Sequence, residues 1–196
     1  MRFFGFAAVA FGLVLSLGLG RSEAGLLPVS VSVSPDAGNY RYTYSVDLTS
    51  DSTIKSGDYF TIYDFKGLVG GTNAQPTGFS YSSQAVGPTP PGTLPADSPG
   101  VNNVTFTYNG PSTMTGQTSI GSFSVDSIYG GTTNGTFTAL TQRQFDGQND
   151  SNITSTQVPV PNGVPEPSSI VLFVVGLALF GGLGYLRRHQ VSLRSV

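Results

Sequence analysis

The centre of this sequence predicts an all-β fold, an antiparallel β-sandwich or jelly-roll-like single domain. Three observations carry that expectation. Apolar and polar residues alternate with period two over several stretches, clusters of Gly, Pro, Asn and Asp separate them, and no helical stripe runs between them. The domain is expected to be flanked by a signal peptide and a C-terminal transmembrane helix.

The first strand is read from Val29, Val31 and Val33, which alternate with Ser30, Ser32 and Ser34. Successive side chains of a strand point to opposite faces, so the three valines are expected on one face. Tyr40, Tyr42, Tyr44, Val46 and Leu48 then alternate with Arg41, Thr43, Ser45 and Asp47, and Asp36, Ala37, Gly38 and Asn39 supply the turn between the two runs. The pair reads as an antiparallel hairpin. Residues 59–65 carry apolar bulk on both faces and are expected centrally in a sheet. Further strands are expected at 78–83, 103–108, 120–129, 135–141 and 153–158, giving about eight in a sandwich or jelly-roll-like arrangement.

One core is the economical arrangement for a centre of this length. The stretch 87–100, with Pro88, Pro90, Pro91, Pro95 and Pro99, interrupts the strands as a semi-rigid loop. Residues 142–163 become polar and end in Pro159, Pro161 and Gly163, the composition of a spacer that lifts a domain off a membrane. The expected organisation is a signal peptide at 1–24, an ectodomain at 25–158, a proline-rich spacer at 159–167, a transmembrane helix at 168–188 and a basic tail at 189–196.

Charged residues make up 10% of the 196-residue chain, against about a quarter in ordinary soluble domains. Ser, Thr, Asn and Gln supply the polarity instead, as on many extracellular surfaces. Of the 9 basic residues only Arg41, Lys55, Lys66 and Arg143 lie in the centre, where the aspartates outnumber them. Nucleic acid is therefore not an expected partner, because phosphate binding requires a basic patch. The chain has no Cys, so the domain is held by packing and not by disulfides.

The two ends read as membrane signals. Met1 and Arg2 precede an apolar run over 3–19, and Ser22, Glu23 and Ala24 place small residues one and three positions before a cut between Ala24 and Gly25. That is the layout of a secretory signal peptide, which makes signal peptidase and the secretion machinery partners. An uncut N-terminal anchor is the alternative, since Arg21 sits between the apolar core and the site. Near the other end, residues 170–186 are free of charge; a helix of that length extends roughly 26 Å, barely enough to span a bilayer. Arg187, Arg188 and Arg194 follow, and the positive-inside rule puts them in the cytoplasm with the centre outside. Within the span Ala178 and Gly182 form a small-xxx-small pair, a weak motif for helix approach.

Val164, Pro165, Glu166 and Pro167 lie just before the span. Two prolines fix φ on either side of the glutamate and bias Val164 and Glu166 away from helix, so the backbone is extended. Such a segment suits a rigid linker or the grip of a membrane-embedded peptidase. This segment, the glycine-interrupted apolar run and then Arg187, Arg188 and His189 together closely resemble the PEP-CTERM sorting signal of Gram-negative and related bacteria. The resemblance covers about 25 residues. It implies that Pro165, Glu166 and Pro167 are recognised by exosortase, an integral-membrane cysteine peptidase, as substrate and without a catalytic role. Residues 57–65 and 86–92 also resemble segments of exported proteins carrying that signal, which supports the placement and adds nothing to mechanism.

Catalytic chemistry is sparse. The single His, His189, falls in the predicted cytoplasmic tail, so neither Ser-His-Asp nor Cys-His nucleophile systems are expected outside. Zinc sites built on His or Cys fail for the same reason, and no cofactor or metal is expected. Asp58 and Asp64 are the carboxylates available for glycoside hydrolysis, although solvated acids at strand ends are the commoner role. Asp146, Asn149, Asp150 and Asn152 form an oxygen-rich stretch of the type calcium prefers, without EF-hand spacing. Tyr81, Tyr108 and Tyr129 are of the type that stacks on sugars, although tyrosines of alternating strands are more often core. Asn103, Asn134 and Asn152 each begin a glycosylation sequon, a match that chance explains equally well in an Asn/Thr-rich chain.

The expected function is that of a non-enzymatic cell-envelope or extracellular-matrix protein. It is exported, held transiently in the inner membrane, processed by exosortase and associated with exopolysaccharide, as in a biofilm. The alternative is a carbohydrate-binding or carbohydrate-active module using Tyr and Asp.

Overall fold

A computed structural model describes residues 25–161 of the chain. Ten strands form in order: β1 (Leu26–Asp36), β2 (Asn39–Leu48), β3 (Ser52–Ile54), β4 (Tyr59–Ile62), β5 (Phe79–Gln84), β6 (Asn103–Tyr108), β7 (Met114–Thr115), β8 (Thr118–Ser127), β9 (Gly131–Arg143) and β10 (Asn149–Val160). All pairings are antiparallel. One sheet is β1-β2-β8; the other runs β5-β6-β4-β9-β3-β7, with β10 paired to β9. Their apolar faces meet in a β-sandwich. No helix occurs among the described residues.

The expected hairpin forms with Asp36 paired to Asn39. Its two-residue turn places Ala37 at φ 47° and Gly38 at φ 88°. Positive φ at both central positions matches the right-handed twist of the flanking strands, and glycine is the residue that adopts it without steric cost. Inward alternation along β2 is complete, with Tyr42, Tyr44, Val46 and Leu48 buried. On β1 the expectation fails at one position. The pairing slips between Pro28 and Ser30, leaving Val29 as the extra residue of a bulge and more than half exposed. Val31 and Val33 still pack on the core.

Strand β4 lies between β6 and β9, as the two-sided apolar pattern predicts, but it stops at Ile62. Asp64 takes φ 56° and turns the chain out of the ladder, while Tyr63 and Phe65 remain buried beyond the strand end. The polar stretch after Gln142 departs most from expectation. The expected strand at 153–158 forms, but it is longer and the stretch is no spacer: β10 pairs with β9 from Asn149 opposite Gln142 to Val160 opposite Gly131. Pro159 therefore belongs to the strand and is not in a linker beginning at 159. As β10 pairs only with β9, the missing proline donor is tolerated there. The short strands β3 and β7 have too few residues to show a period.

Aromatic rings fill the centre. Phe60 stacks on Phe137 with centroids 5.2 Å apart and meets Phe123 edge-on at 4.8 Å, so β4, β9 and β8 join at one residue. Such pairs contribute about 0.5–1.5 kcal/mol beyond the area they bury. Two tyrosines cross the core and end on backbone carbonyls. Tyr42 Oη donates to Gly131 O at 2.7 Å, and Tyr44 Oη donates to Gln157 O at 2.8 Å. These bonds satisfy hydroxyls whose burial would otherwise cost free energy, and they link the sheets without cysteine. The outer edge of β8 is covered in turn. Val69 N donates to Asp126 O, and Ala74 exchanges both backbone bonds with Ser124.

Candidate functional site

The loops at one end of the sandwich converge where β4 ends. The positive φ of Asp64 aims its backbone N–H at Asn103 Oδ1, 2.8 Å away, and its carboxylate accepts from Ser98 N at 2.8 Å and Ser98 Oγ at 2.9 Å. Asn103, fully buried, donates in turn to Asp97 Oδ1 at 2.9 Å. Tyr63 Oη donates to Pro88 O at 2.8 Å and Thr93 Oγ1 to Pro90 O at 2.8 Å. The proline-rich loop is thus tied near its two ends, at Pro88 and at Asp97 and Ser98, to the end of β4 and the start of β6, and the Thr93 bond braces it internally.

This pinning shapes two open clefts on either side of Lys66. One, of about 360 Å³, is lined by Asp64, Lys66, Asn134, Thr136 and Val158 among others. The other, of about 390 Å³, is lined by Lys66, Asn102, Tyr129 and Pro161 among others. Lys66 is exposed and forms no ion pair with the described acids. A free ammonium beside amide and hydroxyl groups suits hydroxyl-rich or carboxylate-bearing ligands. Periodicity does not reveal such a surface, because loops from positions far apart in the chain build it. The nearest local signal was the turn composition of Asp64 to Gly67.

Asp58 and Asp64 do not form a catalytic pair. They flank opposite ends of β4, so their Cα atoms stand roughly 15–20 Å apart by strand geometry, beyond the about 5–9.5 Å that glycoside hydrolysis uses. Nor is Asp58 a solvated acid: it is buried, accepts from Lys55 N at 2.8 Å through Oδ2 and from Gln142 Nε2 at 3.0 Å through Oδ1. Burial raises its pKa above the ordinary value, against the lowering effect of the Lys55 amide, the Gln142 amide and the Lys55 charge.

The other candidates are dispersed. Tyr108 is buried with its hydroxyl donating to Ser112 O at 2.6 Å, Tyr81 packs on Phe106, and Tyr129 lines the second of the two clefts. The calcium-type stretch is only partly a loop, since Asp146 sits in the β9–β10 turn and the other three residues do not. Asp146 pairs with Arg143 at 2.8 Å, Asn149 to Asn152 lie in β10, and Asn152 points inward. Among the described residues no group of three or more His, Cys, Asp or Glu is placed to hold a metal ion. Asn103 and Asn152 are buried in internal hydrogen bonds, which leaves Asn134 as the exposed one of these three asparagines.

Ala24, Val164, Pro165, Glu166, Pro167, Arg187 and Arg188 lie outside the described residues, as does the expected span at 168–188. Among the described residues no helix is long and apolar enough to cross a membrane. Gly25 opens the described part; its N–H lies 2.7 Å from Ser52 Oγ and 2.9 Å from Thr49 Oγ1.

No protein-family model and no curated protein matches the sequence. Among solved structures the chain is similar to a cohesin module from the family 33 glycoside hydrolase of Clostridium perfringens ATCC13124. The identity is 12%, over 70% of this chain and 96% of that chain, with a TM-score of 0.39.

Proposed function

We propose that this chain is an exported, non-enzymatic envelope or matrix protein. A jelly-roll-like single domain is delivered through a cleaved leader and held briefly by the C-terminal helix. Exosortase releases it by acting at Pro165, Glu166 and Pro167, and the mature protein stays at the surface or in exopolysaccharide. The observation that carries this reading is the fixed order at the tail: an extended Pro-Glu-Pro segment, an uncharged glycine-broken run and an arginine pair. The end of β10 at Val160 supports it, since the ladder closes before that segment begins. Fusing residues 165–196 to an exported reporter tests the sorting half. Processing that requires exosortase is expected, and a fusion left intact in its presence overturns the assignment.

A second reading is favoured by the two clefts beside Lys66, which give the domain a polar surface for glycans. With Asp58 and Asp64 far apart, this reading narrows to binding. A glycan array probed with the exported protein and with Lys66→Ala separates the two: binding that depends on Lys66 supports a glycan module, and no binding leaves the scaffold role.

A further inference from the structure

The residue after the expected leader cut sits in a nest of oxygen atoms. Gly25 N is 2.7 Å from Ser52 Oγ and 2.9 Å from Thr49 Oγ1, and the two hydroxyls lie 2.7 Å from each other. The Thr49 hydroxyl continues to Asp51 Oδ1 at 3.1 Å, so the chain of bonds ends on a carboxylate. Gly25 O accepts from Thr49 N at 3.0 Å, which closes the 49–52 turn around this residue.

On another side stand Asn152 Oδ1 and Thr141 Oγ1, at 3.0 and 3.4 Å from the point a Gly25 Cβ would occupy. Both belong to side chains more than nine-tenths buried, and neither atom has a hydrogen-bond partner. Orphaned buried acceptors are costly, and folded proteins rarely keep two side by side without a use.

A peptide nitrogen at Gly25 carries one hydrogen for these oxygens, whereas a free α-ammonium carries three and a positive charge. We propose that this is a binding site for the chain's own processed N-terminus: cleavage after Ala24 creates the α-ammonium of Gly25, which is held by Ser52 and Thr49 with Asp51 beyond, while the unpaired Asn152 Oδ1 and Thr141 Oγ1 face the same residue from its other side. The proposal rests on the leader reading above. It also accounts for glycine at this position, because any Cβ would press on Asn152 Oδ1. The consequence is that processing strengthens a junction already present, adding two hydrogens and a positive charge where a single N–H now ties the start of β1 to the 49–52 turn.

The test uses the full chain expressed with its leader and recovered after export, treated at neutral pH with an amine-acylating reagent and read by peptide mass spectrometry. An α-amine is less basic than a lysine amine, so at neutral pH an exposed N-terminus carries a larger share of the reactive free amine. In the native protein Gly25 is expected to be acylated at least about tenfold more slowly than in the unfolded chain, because charge-assisted hydrogen bonds hold its ammonium form. Thr49→Val, a near-isosteric change at a half-buried position, is expected to return reactivity to Gly25. If the exported chain begins at Gly25 and that amine reacts as fast in the native state as in the unfolded chain, the nest is refuted while the leader reading stands. If the chain begins elsewhere, both fail.

Discussion

Asn152 Nδ2 donates a 3.0 Å hydrogen bond to the carbonyl of Leu26, joining the last strand to the first across 126 positions of sequence. Asn152 is buried and Leu26 fully so, which leaves no water to replace the bond. Asn152→Ala is expected to destabilise the domain by about 1–3 kcal/mol, the cost of a buried carbonyl left without its donor. Urea denaturation of the exported protein measures it as a lower midpoint at unchanged slope.

Asp58 makes stability depend on pH with a definite sign. Its pKa in the folded state lies above the ordinary 3.8 because of burial. Between those two values the folded chain binds more protons than the unfolded one, so this group's contribution falls as pH rises through that window and is level above it. Asp58→Asn is expected to remove that fall and to keep an acceptor for Lys55 N. Gln142 Oε1, buried without a partner, can accept the new amide donor once the Gln142 side chain turns over. Asp58→Ala leaves Lys55 N and Gln142 Nε2 without acceptors and is expected to cost about 1–3 kcal/mol. Denaturation midpoints taken from acid to neutral pH check both: the advantage of Asn over Asp grows as pH rises.

Tyr44 bridges the two sheets through its bond to Gln157 O. Burial, with a smaller effect from Tyr42, holds its pKa well above the ordinary tyrosine value, so it remains a donor in all neutral buffers. Tyr44→Phe keeps the ring and removes the bond, with an expected loss of about 1–2 kcal/mol. Tyr81→Phe, on the edge strand β5, is expected to change stability by less than about 0.5 kcal/mol. A thermal or denaturant series of the two variants makes the comparison.

The strands were legible where one face is apolar and the other polar. Tyr42 to Leu48 announced their own burial, and the apolar bulk of residues 59–65 announced a central position. Val29 was misread because a bulge reverses the facing of one residue without changing composition. The tail of the domain was read only in part: the strand at 153–158 was expected, but its extension to Asn149 and Val160 was missed, because β10 is an edge strand whose polar residues either face water or, like Asn152, are satisfied by bonds to distant backbone. Composition alone cannot separate that pattern from a linker. The two clefts were invisible for a related reason. Asp64, Ser98, Asn102 and Tyr129 come together only through the pinned proline loop and the turn at Asp64.

The most direct measurement is the intact mass and cellular location of the full chain, in cells with and without exosortase and with Pro165, Glu166 and Pro167 replaced by alanine. The account predicts a surface or matrix form that begins at Gly25 and lacks the apolar tail. It also predicts an inner-membrane form, leader removed and tail retained, when either the peptidase or the motif is lost. A chain recovered from the cytosol with residues 1–24 still attached, or a tail removed equally well in all three cases, contradicts it.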